Sequence, residues 1–256
     1  MAASTIRVDL VRDHVAVLTL DRPPVNAMGR EIREQFVETM EALGERDEVR
    51  AIVLTAAGKV FCAGADIKEK RDLVDGAGGY ARANRLTRDS FLVLNESPKP
   101  VIAAVNGAAL GAGFVMAACC DFILASEDAW FQMPEIDVGL GGGGSFLQRI
   151  LPPGKMRRMM LTGERVPAAE LHRLGAVEEC VPAAELLPRA IEIAALIAAK
   201  SPRAVAVIRG HFDTVAHLGL YEGFRAEQRY ITELSRTPDA AEARLAFIEK
   251  RKPNFK

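Results

Sequence analysis

The chain has 256 residues, 49% hydrophobic and 26% charged, with a formal net charge of −1. That balance belongs to a folded globular chain with enough apolar material for one sizeable core, and it gives no electrostatic basis for a nucleic-acid or membrane partner. The four cysteines, Cys62, Cys119, Cys120 and Cys180, lack C-x-x-C spacing and sit among apolar residues, so they read as reduced core residues rather than metal ligands or disulfides.

In chain order, residues 15–20 read as a strand, closed by Asp21-Arg22-Pro23-Pro24, because proline cannot donate to a ladder. Residues 30–45 carry Ile32, Phe36, Val37, Met40 and Leu43 at helical spacing, and residues 51–55 form a short buried strand. The rhythm recurs. A helix is expected over 80–95, with Leu86, Phe91, Leu92 and Leu94 apolar; Pro98 and Pro100 break it, and a strand follows at 101–105. A short buried helix at 111–120 and a strand at 122–125 complete an α/β pattern with crossover connections.

Beyond Gly154 the pattern turns helical over 191–200, 201–218 and 220–234, with strand character only at 176–180. Ser201-Pro202 and Thr237-Pro238 each read as an N-cap followed by a proline in the first helical position. The expected organisation is a core over 1–190 and a helical extension over 191–256, both parts of one functional domain, the extension suited to covering a neighbouring subunit. No internal repeat is evident. The first residues lack a cationic segment followed by an apolar run, and no stretch approaches a membrane span, so the expected location is cytoplasmic.

Two small-residue turns carry the chemistry. Phe61-Cys62-Ala63-Gly64-Ala65-Asp66-Ile67 and Leu110-Gly111-Ala112-Gly113 are separated by a helix and a strand. Small side chains let a ligand approach the main chain, and two converging N–H groups can hold the oxygen of an activated carbonyl. Asp66, which opens a helix, reads as an N-cap rather than a reacting group.

Those turns, together with Asn26-Ala27-Met28, the run from Asn106 to Gly113, Pro134-Glu135-Ile136-Asp137-Val138-Gly139 and the ending from Phe247 to Phe255, resemble the enoyl-CoA hydratase/isomerase (crotonase) superfamily over nearly the whole chain. The resemblance implies a spiral of ββα turns with helical C-terminal trimerisation, as a homotrimer or a hexamer built from two trimers. It also implies an acyl-CoA thioester substrate, with coenzyme A as part of that substrate and no prosthetic group or metal. Its oxyanion-hole donors fall at the N–H groups of Ala65 and Ala112, and its general acid/base falls at Glu135. Coenzyme A contacts are implied at Asn26, Ala27, Lys59, Ala63, Ile67 and Lys68, and at Phe247 and Lys250 from the C-terminal end.

One position departs from the pattern. Hydratases of this family usually carry a second glutamate where this chain has Val115. Hydration of a 2-enoyl thioester remains the family-level expectation, narrowly ahead of double-bond isomerisation of a 3-enoyl thioester with Glu135 as sole base. A catalytically weak acyl-CoA-binding protein is the third reading. The loop 70–79 is expected to shape the acyl pocket, and its composition is generic.

Two other patterns lead elsewhere and are set aside. Residues 139–144 formally satisfy G-x-G-x-x-G, but no strand run precedes them. Arg82, Arg85 and Arg88 share a helical face and read as a solvated surface.

Overall fold

The computed structural model describes residues 5–69 and 78–255. Its framework is a six-stranded sheet in the order β1 (Ile6–Leu10), β2 (Val15–Leu20), β3 (Ala51–Ala56), β5 (Val101–Val105), β7 (Phe122–Ser126) and β10 (Glu179–Val181). Only β1 runs antiparallel to its neighbour. Sequence reading starts the sheet at β2, because β1 is an edge strand whose alternating Arg7 and Asp9 hide its periodicity. The parallel strands β2, β3 and β5 are buried along their whole length, as strands covered on both faces must be.

Alternation along these strands builds two cores. Ala16, Leu18, Ile52, Leu54, Val101 and Ala103 face one core with Phe36, Met40 and Phe114. Val15, Val17, Val53, Ile102 and Ala104 face the other, against Leu186, Ala190, Ala194 and Ala198. Those four lie on one stripe of a helix, Ala183–Ala198, that begins well before the expected start at 191. Pro188 lies inside it and masks its first turns in the sequence, and the expected division at 190/191 falls within this helix.

The second sheet consists of β4 (Val60–Cys62), β6 (Ala108–Leu110), β8 (Trp130–Gln132) and β9 (Val166–Pro167), the first three parallel. Each of β3, β5 and β7 therefore passes into a short strand of this sheet, and the first two such pairs lead on into helices. This is the spiral of ββα turns that the resemblance implies. The repeat is invisible in the sequence because runs of three residues or fewer are too short for periodicity to register.

Helix α1 (Arg30–Glu45) and helix α2 (Gly79–Asn95) pack against each other on the first core. The N-terminus of α1 has no side-chain cap of its own, and Glu69 Oε2 accepts from the Arg30 amide at 2.7 Å instead. Ser201 and Thr237 cap the helices Pro202–Val215 and Pro238–Ile248 as expected, each accepting from the amide three residues on. Buried Arg209 fixes the first of these to the core, donating to the carbonyls of Leu94, Asn95 and Ser97 and pairing with Asp121 at 2.9 Å. Among the described residues no helix is long and apolar enough to cross a membrane.

Candidate active site

The second sheet positions the site. Its parallel strands β4, β6 and β8 pair side by side, with Cys62 beside Ala109 after a register shift from Val60 and Leu110 beside Gln132, so their C-terminal ends release three neighbouring loops. Loops beyond the carboxyl ends of parallel strands are where such folds gather functional groups. Here they carry Ala63–Asp66, Gly111–Ala112 and Met133–Glu135.

The first loop is clamped by its backbone. The Met28 amide donates to the Gly64 carbonyl at 2.8 Å and the Asp66 amide donates to the Met28 carbonyl at 3.3 Å, forming an isolated parallel bridge between Met28 and Ala65. The bridge takes the Gly64 carbonyl and the Asp66 amide, the Gly64 amide goes to Cys62 Sγ at 3.4 Å, and the Ala65 N–H is left without a protein acceptor among the described residues. Ala112 opens helix α3 (Ala112–Cys119), and the first intrahelical bond there is from Val115 to the Gly111 carbonyl, so its N–H is also unclaimed. Gly64 brings the two turns together. Its φ is +91°, and a methyl group at its Cα would lie 2.9 Å from the Leu110 carbonyl oxygen and 3.6 Å from the Ala112 nitrogen. Two unclaimed amides thus stand on abutting turns, one at a helix N-terminus whose dipole favours negative charge.

Glu135 belongs to a short 3₁₀ turn, Pro134–Val138, held by the Leu140 amide donating to the Glu135 carbonyl at 2.9 Å. Its carboxylate lies against Gly111. A Cβ built on Gly111, whose φ is +48°, would fall 2.1 Å from Glu135 Oε1. The Gly111 amide in turn donates to the Gln132 carbonyl at 2.9 Å, tying the donor turn to the strand that delivers the glutamate.

These groups line one cavity of about 330 Å³, with Ala63, Gly64, Ala65, Ile67, Gly111, Ala112, Val115 and Glu135 among its walls. Val115 is 2% exposed and its Cγ2 packs over the Gly143 backbone, so this part of the wall is hydrocarbon. A second acidic residue, Asp137, borders the same cavity from the glutamate's own turn, with Oδ2 beside Gly163. The glycines at 141–143 are wall residues too, preceded by a 3₁₀ turn and not by a strand.

The remaining expected residues divide. Asn26 is buried with φ +54°, and its side chain is fully engaged within the protein: Oδ1 accepts from the Arg22 amide at 2.8 Å, and Nδ2 donates to the carbonyls of Ala57 and Val60 at 3.0 and 2.8 Å. The Ala27 carbonyl accepts from Arg22 Nη1 at 2.6 Å. Lys59 and Lys68 are exposed, the first on the β3–β4 turn beside the carbonyls that Asn26 holds. Phe247, 85% exposed, and Lys250 lie at the end of the last helix and do not border the cavity. Residues 70–77 of the expected pocket loop lie outside the described residues. Asp66 acts as the N-cap expected of it: Oδ1 accepts from the amides of Lys68 and Glu69, while Oδ2 pairs with Arg22 at 3.0 Å. Arg82, Arg85 and Arg88 are exposed, as a solvated face should be.

Sequence reading missed one wall. Tyr80, Asn84, Thr87 and Phe91 line the cavity from α2 at spacings of four, three and four residues, and Arg33 reaches it from α1. The helical spacing of the four was a usable signal. Arg33 gave none, since its neighbours Ile32 and Phe36 already define an apolar stripe.

The geometry sets two unclaimed amides beside a carboxylate in one cavity. The family model for enoyl-CoA hydratase/isomerase matches residues 11–256, and the chain belongs to that family, the crotonase superfamily, whose members act on CoA thioesters. A carnitinyl-CoA dehydratase from Proteus mirabilis is 36% identical over 96% of both chains. A (7aS)-7a-methyl-1,5-dioxo-2,3,5,6,7,7a-hexahydro-1H-indene-carboxyl-CoA hydrolase from Mycobacterium tuberculosis is 35% identical over 92% of this chain and 95% of its own. The crystal structure of an enoyl-CoA hydratase from Bacillus anthracis superposes with a TM-score of 0.93 at 32% identity, covering 99% of each chain.

Proposed function

We propose that this acyl-CoA enzyme is an enoyl-CoA hydratase that adds water across a 2-enoyl thioester to give the 3-hydroxyacyl thioester, with Glu135 as its general acid/base. The observation that carries the reading is the carboxylate of Glu135 lying against Gly111, next to the turn that presents the unclaimed Ala112 amide. The thioester carbonyl accepts from the N–H groups of Ala65 and Ala112, which draws electron density from C3. Glu135 takes a proton from water as the hydroxyl adds to C3, and the electron pair of the double bond moves into the enolate held by the two amides. The protonated Glu135 then returns its proton to C2. One carboxylate completes the cycle, and losing either amide costs about 3 to 4 kcal/mol in the transition state.

A second reading rests on Val115. With hydrocarbon at Val115 in the same cavity wall, Glu135 as sole base can move a proton from C2 to C4 of a 3-enoyl thioester through a dienolate, an isomerisation that needs no water. A catalytically weak acyl-CoA-binding protein is the third. Incubating the protein separately with 2-enoyl- and 3-enoyl-CoA distinguishes them: rapid 3-hydroxyacyl-CoA formation supports hydration, and double-bond movement without water uptake supports isomerisation. Silence toward both with retained CoA binding leaves the binding protein. Glu135→Gln should lower whichever activity is seen by about 10²- to 10⁴-fold, and full activity in that variant rejects the assigned base.

Coenzyme A contacts at Asn26, Ala27, Lys59, Ala63, Ile67 and Lys68 belong to the same proposal, with the main chain at Asn26 and Ala27 and the mobile lysines facing ribose and phosphates. Assembly as a homotrimer or homohexamer, with Phe247 and Lys250 supplied by a neighbouring copy, is supported by the exposed Leu220, Tyr221, Phe224, Phe247 and Ile248 of the C-terminal helices. A cytoplasmic location is supported by the four unpaired cysteines.

A further inference from the structure

We propose that Arg33 makes this an enzyme for acyl-CoA thioesters whose acyl group carries a distal carboxylate. The inference rests on the acyl-CoA reading of the cavity and deepens it. Arg33 is 4% exposed, on the inward face of α1, and borders both the 330 Å³ cavity and an adjoining one of about 690 Å³. Its Nε donates to the Met28 carbonyl at 3.2 Å and its Nη1 to Ser90 Oγ at 2.7 Å, both neutral acceptors. Its remaining nitrogen, Nη2, has no acceptor among the described residues.

Burial lowers the Arg33 pKa to about 10, which still leaves the group charged at neutral pH. No carboxylate lies within ion-pairing distance of it among the described residues. Glu69 acts on it through space but spends Oε2 on the Arg30 amide. Glu135 and Asp137 are held on their own turn, against Gly111 and Gly163. A guanidinium removed from water without an anion opposes folding unless something repays the desolvation. The open side of this one is the cavity.

The cavity's two walls differ in kind. Val115, Val138 and Leu140 present hydrocarbon, whereas Arg33 stands beside Tyr80, Asn84 and Thr87, with the Phe91 ring centroid 5.8 Å from its guanidinium carbon. A purely hydrocarbon acyl chain satisfies only the first wall and seals the guanidinium away from water. A chain ending in a carboxylate satisfies both, and a planar guanidinium held by two fixed hydrogen bonds is preorganised to receive it.

The test is binding of saturated, unreactive thioesters by isothermal titration: glutaryl-, adipyl- and suberyl-CoA, each against the methyl-ended acyl-CoA of the same chain length. For at least one chain length the wild-type protein should bind the carboxylate-ended member about tenfold or more tightly. Arg33→Met should erase that preference without weakening the methyl-ended member, and Arg33→Lys should keep part of it. Equal binding of both members at every length by the wild-type protein overturns the proposal without any variant. Equal weakening of both members in Arg33→Met also overturns it, because that is what loss of the Met28 and Ser90 contacts alone would do. If no acyl-CoA of either kind binds, the acyl-CoA reading itself fails, a result distinct from loss of preference.

Discussion

The site has two halves of different construction. Its reactive half is made from backbone: two amides on turns that abut at Gly64, and a glutamate set against Gly111. Its other half is a wall of side chains, Arg33, Tyr80, Asn84, Thr87 and Phe91, brought together by the packing of α1 on α2. On the proposed reading the first half stabilises an enolate on any thioester whose carbonyl reaches it. The second half, on the same reading, meets the acyl group and selects among thioesters. On this proposal the shared chemistry is carried by main-chain geometry and substrate choice by side chains on helices, with Arg33 joining the two halves through the Met28 carbonyl that also clamps the first loop.

The largest effect should come from spoiling the backbone half. Gly111→Ala adds a Cβ 2.1 Å from Glu135 Oε1 at a φ of +48°, so the glutamate and the Ala112 turn cannot both keep their places. We expect kcat/KM to fall by about 10³-fold or more, the combined scale of a displaced base and a weakened donor, with the circular dichroism spectrum unchanged. Near-normal turnover would mean that the glutamate works from another position.

Next in size is a stability effect beneath the same half. Asn26 side-chain bonds join the Arg22 amide to the carbonyls of Ala57 and Val60, holding the loop that clamps Gly64. Asn26→Ala leaves those partly buried groups without their partner at a left-handed φ, and should lower unfolding stability by about 2 to 3 kcal/mol in chemical denaturation. A loss in CoA affinity without a loss in stability would show instead that the residue serves the ligand directly.

The same division explains what was legible in the sequence. Gly64 and Gly111 sit in short segments whose composition reflects local backbone demands, so motif and spacing locate them, whereas Glu135 is assigned through the family resemblance alone. Arg33 is buried only because α2 covers it, and nothing local marks an arginine beside Ile32 as an inward residue. The strands at 60–62, 108–110 and 130–132 were lost for a related reason, since each is too short to show periodicity and becomes a strand through its neighbours. Pro188 hid the start of a helix that the far face of the sheet requires. The resemblance reads Asn26 as a coenzyme A contact, and its side-chain role as an internal brace is visible only with the 22–26 loop and the 57–60 turn in place.

A smaller effect should sharpen the side-chain half. Thr87→Val replaces a wall hydroxyl with a methyl of nearly the same size. It should leave kcat within about twofold while shifting KM by up to about tenfold, the signature of binding made equally in ground and transition states. A fall in kcat with constant KM would place Thr87 in the reactive half instead.

The smallest effect concerns the charge behind the reactive turn. Burial pushes the Asp66 pKa up, but hydrogen bonds from Arg22 and from the amides of Lys68 and Glu69, with the Arg22 charge, outweigh it and hold the carboxyl below its usual range. With the folded pKa below the unfolded one, the contribution is complete above about pH 4 and is lost as pH falls through the folded value. Both side chains are partly exposed, so Asp66→Asn, which keeps a capping oxygen, should destabilise by only about 0.5 to 1 kcal/mol at pH 7. The gap between wild type and variant, followed by thermal melting, should close as the pH is lowered. A gap that is absent at pH 7 would mean that the turn is held by its backbone clamp alone, through the Met28 and Asp66 amides, and that the reactive half draws no support from side-chain charge.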